Sequence, residues 1–310
     1  MGFLFGCIRA FVSLIKRPKT NSAAKIDRKT IIYIYIVYYW QKKENLKKMK
    51  NIILSIIISV ISQIAISSTI NIDELKARKY LDDYQSNVLY GYNIVNETKK
   101  YASRYTGNGM NCTSCHLESG TKKHAIPLNV SGMYPKWRDK NGRRNGIALR
   151  IRECFVYSLD GIMPPNESPE VLAIAAYISH LSDGEKIGEA PDGRGTVVLE
   201  DTGFGPNPAN GKAIYKNQCS SCHAKDGSGR GEIPPLWGLN SYNKGAGMHN
   251  NDKLAGWVWS NMPKGREETL SVQEAKDVSA YINIQIRPSD PRESKIMKIF
   301  ESILSLFVLF

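Results

Sequence analysis

Two copies of the pentapeptide Cys-x-x-Cys-His are the clearest chemical signal in this chain. They read Cys112-Thr-Ser-Cys115-His116 and Cys219-Ser-Ser-Cys222-His223. The pattern is typical of c-type haem attachment, in which both thiols form thioethers with the haem vinyl groups and the histidine becomes the proximal iron ligand. The sequence therefore predicts two covalently bound haem c groups and a redox function.

Two other uses of a Cys-x-x-Cys pair fit the chain less well. A structural zinc site needs further Cys or His ligands at short spacing, and the remaining histidines, His124, His180 and His249, form no such pairs. A thioredoxin-like redox pair needs a βαβ context, which the flanking sequence does not provide.

The sixth ligand of each haem decides its chemistry. In the second half, Met262 precedes Pro263 in a loop just before a terminal helix, and a thioether there would raise the reduction potential and suit an electron-transfer haem. Met248 is the main rival and His249 a weaker one. We favour Met262.

In the first half, Met163 and Cys154 compete for the same role. Met163 would give an ordinary electron-transfer haem, whereas Cys154 would give a thiolate ligand and a lower potential. A lone cysteine is more often a buried apolar residue, but Arg150 and Arg152 would stabilise a thiolate and suit small oxyanions. Ser158 adds a hydroxyl one helical turn on. The pattern suggests redox chemistry on an anionic sulfur compound.

Helical signals bracket both motifs. Residues 209–218 lead into the second motif, and Ser271-Val-Gln-Glu274 is a capping box for a terminal helix that Pro288 should stop. In the first half, Ser168 and Pro169 should begin a helix. Its predicted buried stripe comprises Val171, Leu172, Ile174, Ala175, Ile178 and Leu181.

These elements predict a mainly α fold of two cytochrome c-like domains, related as a divergent internal repeat. Domain 1 (69–183) would carry the catalytic haem and domain 2 (209–288) the electron-transfer haem. Residues 184–208 between them are Gly/Pro-rich, as expected of a linker. The tail 289–310 has an apolar face that could make a peripheral membrane contact or hold a partner.

The N-terminal region predicts export to the periplasm. An apolar run from Ile52 to Ile66 follows a lysine-rich stretch and precedes Ser67 and Ser68, so we interpret 49–68 as a signal peptide and 1–48 as a doubtful upstream extension. The run is shorter than the roughly 20 residues of a spanning helix, which favours cleavage over a retained anchor. Residues 1–67 carry +10 of the net charge of +13, so the basic balance does not indicate nucleic-acid binding.

With these features the chain resembles the dihaem thiosulfate dehydrogenases over roughly residues 86–287. The motifs that carry the resemblance are Gly107 to Thr121 around the first haem site, Tyr134-Pro-Lys-Trp-Arg138, Arg150 to Gly161, Pro234-Pro-Leu-Trp-Gly238, Asn240-Ser-Tyr-Asn243 and Gly245-Ala-Gly-Met248. The resemblance implies interconversion of thiosulfate and tetrathionate, with electrons relayed through the second haem to an external partner such as a small cytochrome c or a quinol-linked system.

The resemblance also implies roles for single residues. His116 and Cys154 would ligate the first iron, and His223 and Met262 the second. Arg138, Arg150 and Ser158 would join Cys154 in the active site. The chain departs from the family at Asn261, where some members have a lysine, at Leu159-Asp160, and at Lys136, where glutamine is common. Two alternatives stay open: a dihaem electron carrier without its own substrate, and a SoxA-like cytochrome that works on a sulfur-carrier partner.

Overall fold

The computed structural model describes residues 71–293 and eight isolated positions before them (33, 35, 37–39, 42, 43 and 50). Most of the predicted upstream extension, nearly all of the predicted signal peptide and most of the C-terminal tail lie outside the described residues. The longer helices are α1 (Ile72–Ala77), α2 (Asp83–Asn96), α3 (Ile147–Tyr157), α4 (Pro169–Leu181), α5 (Pro208–Ile214), α6 (Asn251–Asn261) and α7 (Val272–Asn283). The predicted mainly α fold is confirmed. Within the described part of the chain, no helix is both long and apolar enough to cross a membrane.

The two halves repeat one helix crossing. Helix α2 packs on α4 in the first half, and α5 packs on α7 in the second. Each crossing has a glycine at its closest point: a Cβ on Gly91 would lie 2.1 Å from the Ala173 carbonyl oxygen, and one on Gly211 would lie 2.1 Å from that of Asp277. Only glycine lets the backbones approach this closely. In each half the haem motif follows the first helix of its pair along the chain.

The predicted helix caps are present. Ser168 accepts a hydrogen bond from the Val171 amide at the start of α4, and Ser271 and Glu274 form a reciprocal capping box on α7. The prediction that Leu172 belongs to the buried stripe of α4 is wrong, because this side chain lies on the outer face and is 51% exposed.

Helix α7 ends earlier than predicted. Its last residue is Asn283 rather than a residue next to Pro288. The Arg287 guanidinium donates to the Ile282 carbonyl at 2.7 Å, and Asn283 bonds to Tyr242, Met248 and Asn251. The Arg287 side chain thus pairs with a backbone carbonyl at the helix end that would otherwise accept a hydrogen bond from a further helical turn.

A short hairpin that was not predicted lies between the first haem motif and α3. Strands β1 (Lys136–Arg138) and β2 (Arg143–Asn145) pair antiparallel, with Arg138 opposite Arg143. The Asn141 and Asn145 amides both donate to the buried Glu153 carboxylate of α3. This contact fixes the hairpin, and with it Arg138, beside the helix that carries Arg150 and Cys154.

The two halves are joined by a hydrogen bond at the first haem motif. Residues 71–293 belong to one compact unit. Within it, the Trp257 indole of α6 donates to the Cys115 carbonyl at 3.0 Å. The backbone of the first motif is thereby tied to the helix that Met262 follows.

Candidate active site at the first haem motif

Both motif histidines are oriented by a backbone carbonyl. His116 Nδ1 lies 2.5 Å from the Ile126 carbonyl oxygen, and His223 Nδ1 lies 3.1 Å from that of Pro234. A bond at Nδ1 fixes the ring and leaves Nε2 free for a metal. Burial lowers the pKa of His116 to about 4 and also lowers the pKa of His223, so both rings are held neutral, as an iron ligand must be.

An apolar slot of about 600 Å³ adjoins the first motif. It is lined by Cys112, Cys115, His116 and Cys154 together with aliphatic side chains of α2, α3 and α4. Burial raises the pKa of the Cys112 and Cys115 thiols to about 12. The described cysteines form no disulfide. Two thiols, a neutral imidazole and an apolar slot fit an attached haem, and the residues that would hold it are those named from the sequence.

Cys154 has a cationic partner. The Arg150 Nη1 donates to the Cys154 Sγ at 2.9 Å. The neighbouring sulfur is the largest cause of the raised pKa of Arg150. The arginine and the cysteine are one turn apart on α3, so the helix itself sets their spacing. The pair can stabilise negative charge on the sulfur.

A second cavity, of about 670 Å³, opens on the other side of the same residues. His116, Cys154 and Arg150 line it, as do Arg138 from β1 and Tyr134. Cys154 and His116 line both cavities. An anion in this cavity would therefore meet the sulfur of Cys154 and the two arginines beside His116.

The other candidates of the first half fall in different places. Ser158 follows α3 and lines the apolar slot, and its backbone amide donates to the Cys154 carbonyl. The prediction that Arg152 stabilises a Cys154 thiolate is wrong. Its Nε donates to the Pro164 carbonyl at 2.7 Å, and its side chain lines neither cavity. Met163 is 43% exposed and lines neither cavity. The side chain best placed to face His116 is that of Cys154.

The second motif has three candidate ligands. Met262 caps the end of α6 and is partly buried, whereas Met248 is buried in the core. The Nδ1 of His249 is buried without a hydrogen-bond partner. Asn261, beside Met262, is fully buried and donates to the Trp257 carbonyl and to that of His124. Its position thus serves the contact between the halves.

Two cations of the larger cavity were not singled out as site residues from the sequence. Lys136 of β1 was noted only as a departure from a pattern, and Arg194 lies in the stretch predicted to be a linker. The signal of Arg194 in the sequence is weak, because a basic residue in a Gly/Pro-rich stretch is usually solvated.

Comparison with known families matches both halves. Residues 98–187 match the model "SoxA/TsdA, cytochrome c domain", and residues 208–284 match the model "Cytochrome c". These matches agree with two cytochrome c domains, each carrying one haem motif. Among the described residues, no group of three His, Cys, Asp or Glu side chains could hold a free metal ion.

Individual relatives cover most of the described chain. A protein of Stutzerimonas stutzeri named "Thiosulfate dehydrogenase" is 41% identical over 215 residues, which is 67% of this chain and 70% of that one. A protein of the same name from Thiomonas intermedia is 38% identical over 217 residues, which is 68% of this chain and 69% of that one.

A solved structure is also similar. It is the "as isolated" form of "Thiosulfate dehydrogenase (TsdBA)" from Marichromatium purpuratum, with a TM-score of 0.67 and 34% identity. The match covers 70% of this chain and 49% of that one, so the chain spans about half the length of the solved protein.

Proposed function

Because the chain belongs to the thiosulfate dehydrogenase family, we propose that it interconverts thiosulfate and tetrathionate at its first haem motif. The reaction joins two thiosulfate ions into one tetrathionate and releases two electrons. The two cytochrome c domains indicate two covalently bound haem c groups, which supply one-electron chemistry when bound.

One observation carries the assignment of the site: Cys154 lies at the junction of the apolar slot and the cation-lined cavity. A dihaem electron carrier would need neither this cavity nor an arginine on the sulfur. The carrier alternative relied on Met163, which is exposed.

The residues of the first motif then take separate roles. Cys112 and Cys115 would hold the haem covalently, and His116 and Cys154 would hold its iron. Arg138 and Arg150 would bind the sulfonate of thiosulfate through forked hydrogen bonds. Ser158 would offer its hydroxyl beside Cys154.

Cys154 is also the proposed nucleophile. Its thiolate would join the outer sulfur of one thiosulfate and form a sulfur–sulfur bond, an oxidation that gives up two electrons. Accepting those electrons is the chemistry that two bound haems would supply. The outer sulfur of a second thiosulfate then attacks the bound sulfur of this adduct. The bond to Cys154 breaks, tetrathionate leaves, and the thiolate is restored. Arg150 would stabilise the thiolate at the start and end of the cycle.

The second motif would pass electrons between the site and an external partner. His223 and Met262 would hold its iron, with Met248 as the alternative to Met262. The partner would be a small cytochrome c or a quinol-linked system. Haem c attachment outside the cytoplasm agrees with a periplasmic location and a signal peptide at 49–68. The tail at 289–310 would make the peripheral membrane contact.

A steady-state assay of the purified holoprotein in both directions tests the function. We expect thiosulfate-dependent reduction of an electron acceptor and tetrathionate-dependent oxidation of a reduced donor dye. A holoprotein with both haems attached that does neither would refute the proposal.

A further inference from the structure

The cavity beside Cys154 holds more positive charge than the two arginines already assigned. Lys136 and Arg194 line it together with Arg138 and Arg150. Within residues 71–293, none of the four forms a salt bridge with a carboxylate. Four cations without carboxylate partners around one cavity indicate a site for more than one anionic group.

Lys136 and Arg194 lie close enough to affect one another. The pKa of Lys136 is lowered by burial and then by the nearby charges of Arg194 and Arg138. Holding like charges together costs free energy, and an anion between them offsets that cost. The cluster is therefore better suited to a bound anion than to water.

Arg194 stands on backbone that is held in place on both sides. The amide of His124 donates to the Gly193 carbonyl at 2.7 Å, and that of Ile126 donates to the Gly195 carbonyl at 3.1 Å. The Ile126 carbonyl is the acceptor that orients His116. One short segment thus positions both the motif histidine and Arg194.

The same stretch also contacts the second half of the chain. A Cβ added to Gly256 of α6 would lie 1.8 Å from the Val197 carbonyl oxygen. Residues 193–197 therefore pass closely between the first haem motif and α6. This part of the predicted linker acts as a wall of the site.

The chemistry of the reaction calls for such a second set of cations. The incoming thiosulfate dianion must approach the bound sulfur of an adduct that already carries one sulfonate charge, and Arg138 with Arg150 are engaged with that first sulfonate. We infer that Lys136 and Arg194 form a second anion subsite, which binds the sulfonate of the incoming thiosulfate and the far sulfonate of tetrathionate. This inference rests on the proposed function.

A competing role for the same two cations is to pair with the carboxylates of the haem. The two roles differ in what a substitution changes. Loss of a substrate contact raises KM, whereas loss of a haem carboxylate partner shifts the reduction potential of the first haem.

The test compares Arg194→Gln and Lys136→Gln with Lys186→Gln. Lys186 lies in the same 184–208 stretch, pairs with Glu189 and does not line the cavity, so its substitution removes one charge without touching the subsite. Each variant is purified with both haems attached. KM and kcat are measured for thiosulfate oxidation and tetrathionate reduction, and the potential of each haem is titrated.

We expect KM for both substrates to rise about tenfold in each subsite variant, as loss of one charged hydrogen bond predicts. Haem potentials should stay unchanged. Arg194→Lys should recover part of the affinity because it keeps the charge. KM values equal to those of Lys186→Gln would overturn the subsite. A shifted potential of the first haem without a change in KM would do the same. Either result would leave the proposed function in place. An inactive wild-type holoprotein would overturn the proposed function and the subsite with it.

Discussion

The Nη1 of Arg150 lies 2.9 Å from the Sγ of Cys154, one turn along the same helix. Among the described residues, this is the only side-chain hydrogen bond of either group. Helix α3 thus delivers a sulfur and its cation to the haem slot as one rigid pair. The pairing gives Cys154 a charge partner that an ordinary buried cysteine lacks.

Replacing Arg150 should weaken turnover even when the charge is kept. Arg150→Lys loses the forked guanidinium that fits a sulfonate and a thiolate together. We expect kcat/KM for thiosulfate to fall by about tenfold to a hundredfold, because one or two charged hydrogen bonds are lost. The matched control is Arg152→Lys, two positions along, whose side chain donates to the Pro164 carbonyl and does not line the cavity. Equal effects in the two variants would argue against a role for Arg150 in the site.

Replacing Cys154 by methionine should change the first haem in a recognisable way. A thiolate favours ferric iron, whereas a thioether raises the potential. We expect Cys154→Met to remove a thiolate-type EPR signal from the oxidised protein and to raise the potential of one haem only. Spectra identical to the wild type would mean that another residue ligates the first iron.

The contact between the halves should contribute measurably to stability. Trp257→Phe keeps an aromatic ring but leaves the Cys115 carbonyl without its donor. We expect the free energy of unfolding to fall by about 1 kcal/mol, measured by denaturant titration of the holoprotein. The matched control is Trp259→Phe on the same helix. The Trp259 indole N–H makes no hydrogen bond within residues 71–293, so this substitution should lower the free energy of unfolding by less. A larger loss in Trp259→Phe would contradict this account.

Lys140 should make stability depend on pH. Its Nζ lies over the Tyr157 ring, 3.2 Å from the centroid, and donates to the Gly245 carbonyl at 2.5 Å. Burial first, and then the nearby Arg292, lower its pKa from the ordinary 10.5 to about 8. Between these values the unfolded chain keeps a proton that the folded one has lost, so stability should rise with pH across this window.

The measurement for Lys140 is a thermal unfolding series at several pH values, compared with Lys140→Met. The wild type should gain stability relative to the variant as pH rises from about 8 towards 10.5. A difference between the two proteins that stays constant over that range would refute the lowered pKa.

Helices and attachment motifs were predictable because their signals are local. The capping box at Ser271, the cap at Ser168 and the two haem pentapeptides each depend on residues a few positions apart. The early end of α7 was not predictable, since it depends on contacts from Tyr242 and Arg287 that only the folded chain brings together.

The walls of the site were harder to predict for the same reason. Strands β1 and β2 have three residues each, too few for a periodic pattern, and Glu153 on α3 holds the β1–β2 hairpin in place. Arg194 reaches the cavity only because a Gly/Pro-rich stretch bonds to the backbone beside His116. The neighbouring sequence also gave a wrong expectation for Arg152, whose side chain bonds to the Pro164 carbonyl and does not line the cavity.

In the proposed reaction the sulfur of Cys154 does the chemistry, and turnover of Cys154→Ala tests this role most directly. The variant should be purified with both haems attached, confirmed by haem content per polypeptide, and assayed for thiosulfate oxidation and tetrathionate reduction beside the wild type. We predict a loss of about a thousandfold or more in kcat/KM in both directions, because the nucleophile is absent. Full activity in Cys154→Ala would contradict the account.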